Sequence, residues 1–442
     1  MVLPLEQNSV NLVDMKAASL ILIHFVLYSA VLAQTYQFNN GNWFIKGRFK
    51  KTTVYTVDGK FSFTSPPKVD SIIDLSNQFC IPPFGDAHTH NLDAPYNIKE
   101  MVKNYLADGI CYVQVLGNYG SGAELIRPTL QKSGKLDVTY ANGLLTATYG
   151  HGFYPYEPLA MGIYSPIEQK KLIDSIKKSR IAENNAYYFF DSIDDVEAKW
   201  PLVMKYKPDH IKICLLDAVN YEEKRKAEGF DDYGLSPAVA AYIVKKAHRA
   251  GLRVFAHAET VADAKLCAEI GVDVLAHLPG YGWNGDLTSS SKYCLQSADV
   301  KWIKQSGISI IPTHNILHVD EYKDNGELVL HPELVEPVLS YKKKILRALY
   351  QAKIPLGIGA DYYGKTATVE IDSLLLQGVF TNKELLDIWC RQTAQMIFPG
   401  RKIGEIKQGY EASFLVLKNN PLVNFKQRQI QLRIKQGKIL SL

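Results

Sequence analysis

The 442-residue chain has few cysteines, and none of them forms a metal-binding or redox pair. Cys80, Cys111, Cys214, Cys267, Cys294 and Cys390 are scattered, with no CxxC and no Cys/His ribbon spacing. Most sit inside apolar runs, and a chain of this size needs no disulfide framework, so buried free thiols are expected. A basic run or patterned Lys/Arg stripe is also missing: 50 Lys and Arg face 45 Asp and Glu, for a formal charge of +5. That balance excludes nucleic acid as the expected partner. Neither disorder nor a fibre fits 47% hydrophobic and 21% charged residues, which are ordinary for a soluble globular protein with one large and one smaller domain. Oligomeric state is not legible.

The chain also lacks an apolar run of the ~20 residues that span a bilayer comfortably. Its longest, AASLILIHFVLYSAVLA over 17–33, is interrupted by His24, Tyr28 and Ser29. Lys16 before it, and Val31 and Ala33 ahead of Gln34, give it the three parts of an export signal cleaved after Ala33, a membrane anchor being the alternative. The residues before Met15 read as an extension from an upstream start codon. The expectation is a secreted or periplasmic protein with no stable membrane span after processing.

What is present is patterned. From Trp43 to Ile81 short alternating pieces are broken by Gly and Pro, with VDGKF as a hairpin signal, and the same texture returns in YEASFLVLKNN and QIQLRIKQGKIL. Residues 34–83 and 400–442 are thus expected to form one small β-sandwich from both chain ends. Between them, residues 84–399 alternate apolar strands with helical patterns, which argues for parallel βα units. Ser236 caps a helix in which Ala240, Ile243, Val244 and Ala247 recur at helical spacing, and the strand LRVFAH then ends at His257. Thr260 caps the next helix, Gly271 ends it, and VDVLAH ends at His277.

These units suggest a (β/α)₈ barrel, whose active site gathers at the carboxyl ends of its strands. FCIPPFGDAHTH delivers His88 and His90 on one side of a strand, HIKICLL carries Lys212, ISIIPTH ends in His314, and IPLGIGAD ends in Asp361. Neutral imidazoles with a carboxylate suit a catalytic divalent ion, zinc above all. Asp86 reads as a supporting residue rather than a ligand. His210, His248 and His331 read as solvent-facing or structural, and His314 and His318 stay undecided.

On GDAHTH, HIKI, VFAHAET, GVDVLAHLPG and GIGAD the chain resembles the amidohydrolase superfamily, in the branch of imidazolonepropionase-like and Xaa-Pro dipeptidase-like proteins. The resemblance spans roughly Trp43 to Leu440; Ser413 departs from it, standing where the usual pattern has Asp. It implies a hydrolase of an amide or cyclic amide bond in a small molecule. It also implies two divalent ions sharing a hydroxide, the first held by His88, His90 and Asp361, the second by His257 and His277, with a carboxylated Lys212 between them. The competing arrangement has one ion on His88, His90, His257 and Asp361. Asp361 would be ligand and proton carrier. His151 in TATYGHGFYP resembles the substrate-contacting histidine of a GGHG loop, with Tyr149 in place of one glycine; Tyr281 in LPGYGW is a further substrate candidate. A deaminase would have an acid three residues beyond the fifth-strand histidine, whereas Glu259 follows His257 by two. A metal-free binding or scaffold protein on the same barrel is the alternative from another class.

Overall fold

The computed structural model describes residues 34–323 and 328–441, and the leader expected over 1–33 lies outside them. The described chain opens with β1 (Tyr36–Ile45), β2 (Arg48–Val57), β3 (Lys60–Ser62), β4 (Ser71–Asp74) and β5 (Phe79–Ile81). Its middle carries β6 (Phe84–Thr89), β7 (Ile110–Val115), β8 (Asp137–Tyr140), β9 (Leu144–Thr146), β10 (Tyr187–Phe189), β11 (Ile211–Cys214), β12 (Val254–His257), β13 (Val274–Leu275) and β14 (Ser309–Ile310). A ribbon of β15 (Glu321–Tyr322) and β16 (Leu328–Val329) follows, then β17 (Phe414–Leu417), β18 (Ile430–Lys435) and β19 (Lys438–Ile439).

Strands from both chain ends share one sheet, ordered β19-β18-β17-β5-β1-β2-β3 with β4 beside β1. The hairpin read from VDGKF joins β2 to β3, with Asp58 and Gly59 both at positive φ, as the twist of a two-residue turn demands. Two facing sheets were expected, but the strands are hydrogen-bonded as a single one that bends back on itself. The Phe61 N–H donates to the Tyr410 carbonyl at 2.8 Å, tying β3 to the segment that leads into β17. The physical reason lies in the inner face, where Phe38, Trp43, Phe61 and Phe414 pack edge to face or tilted and bury one another when the sheet curls. Ser413 sits at this seam, accepting the Gln436 N–H at 3.0 Å and donating to Glu411 at 2.7 Å.

The middle is α/β with parallel strands, in a sheet β6-β7-β8 and a sheet β10-β9-β11-β12-β13-β14. Helix Pro237–Arg249 forms where the spacing predicts it: Ser236 accepts the Val239 N–H, and Ala240, Ile243, Val244 and Ala247 turn into the core. Helix Val261–Ile270 starts on a Thr260/Asp263 capping box and ends at Gly271 in the left-handed region. Their lengths return the chain to the same sheet, so His257 and His277 leave neighbouring strands at the same end. Beyond β14, a bridge joins Ile310 to Leu356, and the Ala87 N–H donates to the Ile358 carbonyl at 2.7 Å. Segment 356–361 therefore lies against both β14 and β6. All six cysteines are buried free thiols, as expected. No helix among the described residues is long and apolar enough to cross a membrane.

Candidate metal centre

His88 lies near the end of β6 with His90 just beyond it, Lys212 lies within β11, His257 ends β12, and His277 follows β13. Asp361 arrives from the segment beside β6, where its N–H donates to the His88 carbonyl at 2.9 Å. A Cβ at Gly359 would stand 2.6 Å from the His88 Cβ, so glycine is what lets that segment approach. The close approach brings Asp361 Oδ1 to 3.2 Å from His88 Nε2 and 3.0 Å from His90 Nε2. Asp361 Oδ2 accepts the Tyr281 hydroxyl at 3.0 Å. Among the described residues, His88, His277 and Asp361 each bring a ligand atom to within 4.8 Å of the others. The His257 and His277 ring centroids are 4.6 Å apart.

Hydrogen bonds assign the tautomers. A carbonyl only accepts, so His88 Nδ1 donates to Ala276 at 3.0 Å and His90 Nδ1 donates to Gly117 at 3.2 Å. The Thr313 hydroxyl donates to the Pro312 carbonyl at 2.8 Å, so it accepts from His277 Nδ1 at 3.0 Å. In neutral rings each Nε2 keeps its lone pair. Two of those lone pairs face one carboxylate oxygen, a repulsive arrangement until a proton or a cation stands among them. The donor set therefore fits a divalent ion, with the far nitrogens anchored as metal-binding histidines require.

Burial governs the charges. It holds His88 at about 3, His257 at about 4 and His277 well below the ordinary imidazole value, so all three are neutral at pH 7. Burial also opposes charge on His90, but the Asp361 carboxylate outweighs it and raises this ring. Asp361 itself, pushed up by burial, is pulled well below the carboxylate range by His88, His90 and Lys212. Lys212 is 3% exposed, its Nζ has no hydrogen-bond partner among the described residues, and burial lowers it to about 8.

These groups line a cavity of about 430 Å³ together with His151 and Tyr281. His151 Nδ1 lies 3.2 Å from Asp231, whose charge overcomes the effect of burial and raises the imidazole, and its ring centroid is 4.3 Å from that of His257. The Tyr281 ring packs tilted against His277 with centroids 3.9 Å apart. Tyr149 is not brought to the cavity: its ring packs between Phe153 and Phe189, and its hydroxyl accepts from Arg180 at 3.2 Å. Of the undecided histidines, His318 lines the cavity, whereas His314 turns to Ser373 Oγ at 2.8 Å. His210 is buried against Phe255, while His248 pairs with Asp273 and His331 with Glu333. Asp86 is a support, accepting the His88 N–H at 3.3 Å and the Tyr105 hydroxyl at 3.4 Å, and burial raises it to about 8. Glu259, read in the sequence only for its spacing, lies on the cavity with Oε1 3.1 Å from His257 Nε2.

The chain matches the amidohydrolase family over residues 81–440. None of the curated proteins matches it in sequence. Among solved structures it is similar to a Xaa-Pro dipeptidase with bound methionine in the active site, at 18% identity and a TM-score of 0.65, covering 92% of this chain and 100% of that one. A prolidase complexed with N-methylphosphonate-L-proline gives 20% identity and a TM-score of 0.64 over the same shares of the two chains. The ochratoxinase of A. niger gives 16% and 0.67, over 92% of this chain and 96% of that one. At such identities the likeness concerns the fold.

Proposed function

Because the chain belongs to the amidohydrolase family, we propose that it hydrolyses an amide or cyclic amide bond of a small molecule on two divalent ions. His88, His90 and Asp361 would hold the first ion and His257 and His277 the second, with carboxylated Lys212 joining them. The observation that carries this reading is Lys212, a buried amine with no hydrogen-bond partner among the described residues, set among neutral histidines and an ionised aspartate. An amine at about 8 is neutral often enough near physiological pH to take up carbon dioxide, and the resulting carbamate has oxygens to offer where the ammonium has none. In this reading the parallel strands close as an eight-stranded barrel over 84–399. The Ile310–Leu356 bridge and the Ala87–Ile358 hydrogen bond support that closure, with 34–83 and 400–442 as the β-domain.

Bound divalent ions, zinc first among them, supply an acidified water and a polarised carbonyl. The chain's own groups do the rest. Asp361, ionised and oriented by the Tyr281 hydroxyl, takes the proton of the attacking water and returns it to the leaving nitrogen. His151, its Nδ1 held by Asp231, orients the substrate. Thr313 and the carbonyls of Ala276 and Gly117 keep three imidazoles in the tautomer that presents Nε2.

The test is a screen of N-acyl amino acids and of dipeptides, including those ending in proline, with amine detection and elemental analysis of the same preparation. Close to two transition-metal ions per chain and amine release are expected. Absence of metal even after reconstitution would sink the reading, and ammonia released from aminopurines would turn it toward a deaminase. Export is proposed separately, from the three-part segment ending at Ala33. Mass spectrometry of protein from the native cell should find a chain beginning near Gln34, and an intact leader would refute cleavage.

A further inference from the structure

Two groups of opposite charge, Glu370 in helix Thr368–Leu376 and Lys342 in helix Pro332–Gln351, are wholly buried, and neither lines the cavity of the metal centre. Burial raises Glu370 to about 7, against the pull of the His314 and Asn315 N–H groups and of Lys342, and it lowers Lys342 to about 8 against the pull of Glu370. Replacing such a pair by apolar side chains is often neutral or stabilising, so stability alone gives no reason for it. Both groups grip the same loop. Glu370 Oε2 accepts the Asn315 N–H at 2.8 Å, and Lys342 Nζ donates to the Ile316 carbonyl at 2.6 Å.

That loop, 313–316 beyond β14, makes two links to the metal centre. At its start the Thr313 hydroxyl accepts from His277 Nδ1 at 3.0 Å. Two residues on, Asn315 Nδ2 donates at 2.9 Å to the carbonyl of Ala360, the residue before Asp361. The backbone between these links is strained: Thr313 holds φ 45°, where a β-branched residue is an outlier that persists only if its surroundings over-determine it. Glu370 and Lys342 supply that constraint just past the strained residue, and Ser373, one turn along from Glu370, adds its hydroxyl at 2.8 Å from His314 Nδ1.

We infer that Glu370, balanced by Lys342, is a positioning residue for the metal centre: by fixing loop 313–316 it holds the His277 imidazole and the backbone at Asp361 together, so that one carboxylate outside the cavity sets ligands of both ions. The inference rests on the metal-hydrolase reading for the role of those ligands, but its test reads the loop with and without metal.

The test compares the unaltered protein with the double variant Glu370→Met/Lys342→Met, in which neither buried charge is left unpaired, and with Glu370→Gln, whose amide oxygen can still accept the Asn315 N–H. NMR of metal-free protein labelled at its histidine nitrogens should show His277 as the single Nδ1–H tautomer in the unaltered chain and as a mixture in the double variant. Cobalt(II), titrated by its visible absorption, should bind the double variant roughly 10–100-fold more weakly at both positions, the usual loss when the partner behind a ligand is removed. Glu370→Gln should recover part of that affinity. A pair that serves stability alone would move the unfolding temperature and leave both the tautomer and the cobalt(II) affinity of the folded protein unchanged; that result, or weakening at one ion only, overturns the inference. If the double variant does not fold, Glu370→Gln decides: a mixed tautomer and weaker binding support the anchor, and values equal to those of the unaltered protein refute it. Failure of the unaltered protein to take up cobalt(II) would count against the hydrolase reading, and the tautomers of the metal-free proteins would still decide the anchor.

Discussion

Lys212→Ala should lose at least one of the two ions and lower turnover by about 10²–10³-fold, the rate equivalent of the several kcal/mol that metal assistance supplies, while the protein stays folded. The fold survives because the substitution removes a buried amine that makes no hydrogen bond among the described residues, so none of theirs is broken. Metal content and circular dichroism on the same sample separate the two effects. A short carboxylate such as acetate should enter the vacated space and restore part of both metal and rate, since it offers the oxygens that the carbamate would have offered. In the unaltered protein, reconstitution of the metal-free form should speed up with bicarbonate and as pH rises toward about 8, because only the neutral amine reacts. Should Lys212→Ala keep two ions and near-native rates, the one-ion site on His88, His90, His257 and Asp361 takes its place.

Where the chemistry of the centre was legible in the sequence, it was legible because regular elements transmit it. His257 and His277 could be placed because two capped helices of normal length return the chain to adjacent parallel strands, and period-two alternation pairs His88 with His90. Alternation fails where the backbone leaves the strand. Thr313 stands at φ 45°, which turns His314 outward to Ser373 and leaves Thr313 itself against His277. A strand-end histidine was visible in ISIIPTH; the positive φ that redirects it was not. Tyr149 is a similar case. At φ 61° it keeps the left-handed backbone that glycine adopts readily, and its side chain packs on Phe153 and Phe189 instead of reaching the cavity. The curled sheet of the two chain ends was hidden for another reason: alternation tells which residues face inward, but not whether they meet a second sheet or one another.

Asp361→Asn isolates proton transfer from ligation and should lower kcat by about 10²–10⁴-fold, the usual contribution of a positioned acid–base group. The amide is nearly isosteric: it can present its one oxygen between His88 and His90 while its NH2 donates to the Tyr281 oxygen, but it cannot take up a proton. Metal content should therefore fall far less than turnover, with KM little changed, as for an interaction used only in the transition state. Tyr281→Phe is the companion measurement. It removes the donor to Oδ2 but leaves the carboxylate, so its loss should be much smaller, reporting orientation rather than chemistry. The pH profile supplies a second check. Against the effect of burial, Asp361 is held well below the usual carboxylate range by its charged surroundings, so its ionised form persists as pH falls through 4, and the acid limb of kcat/KM should belong to another group. Asp361→Asn enzyme that binds two ions and turns over within about 10-fold of the unaltered protein would remove Asp361 from the proton path and leave it as a ligand only.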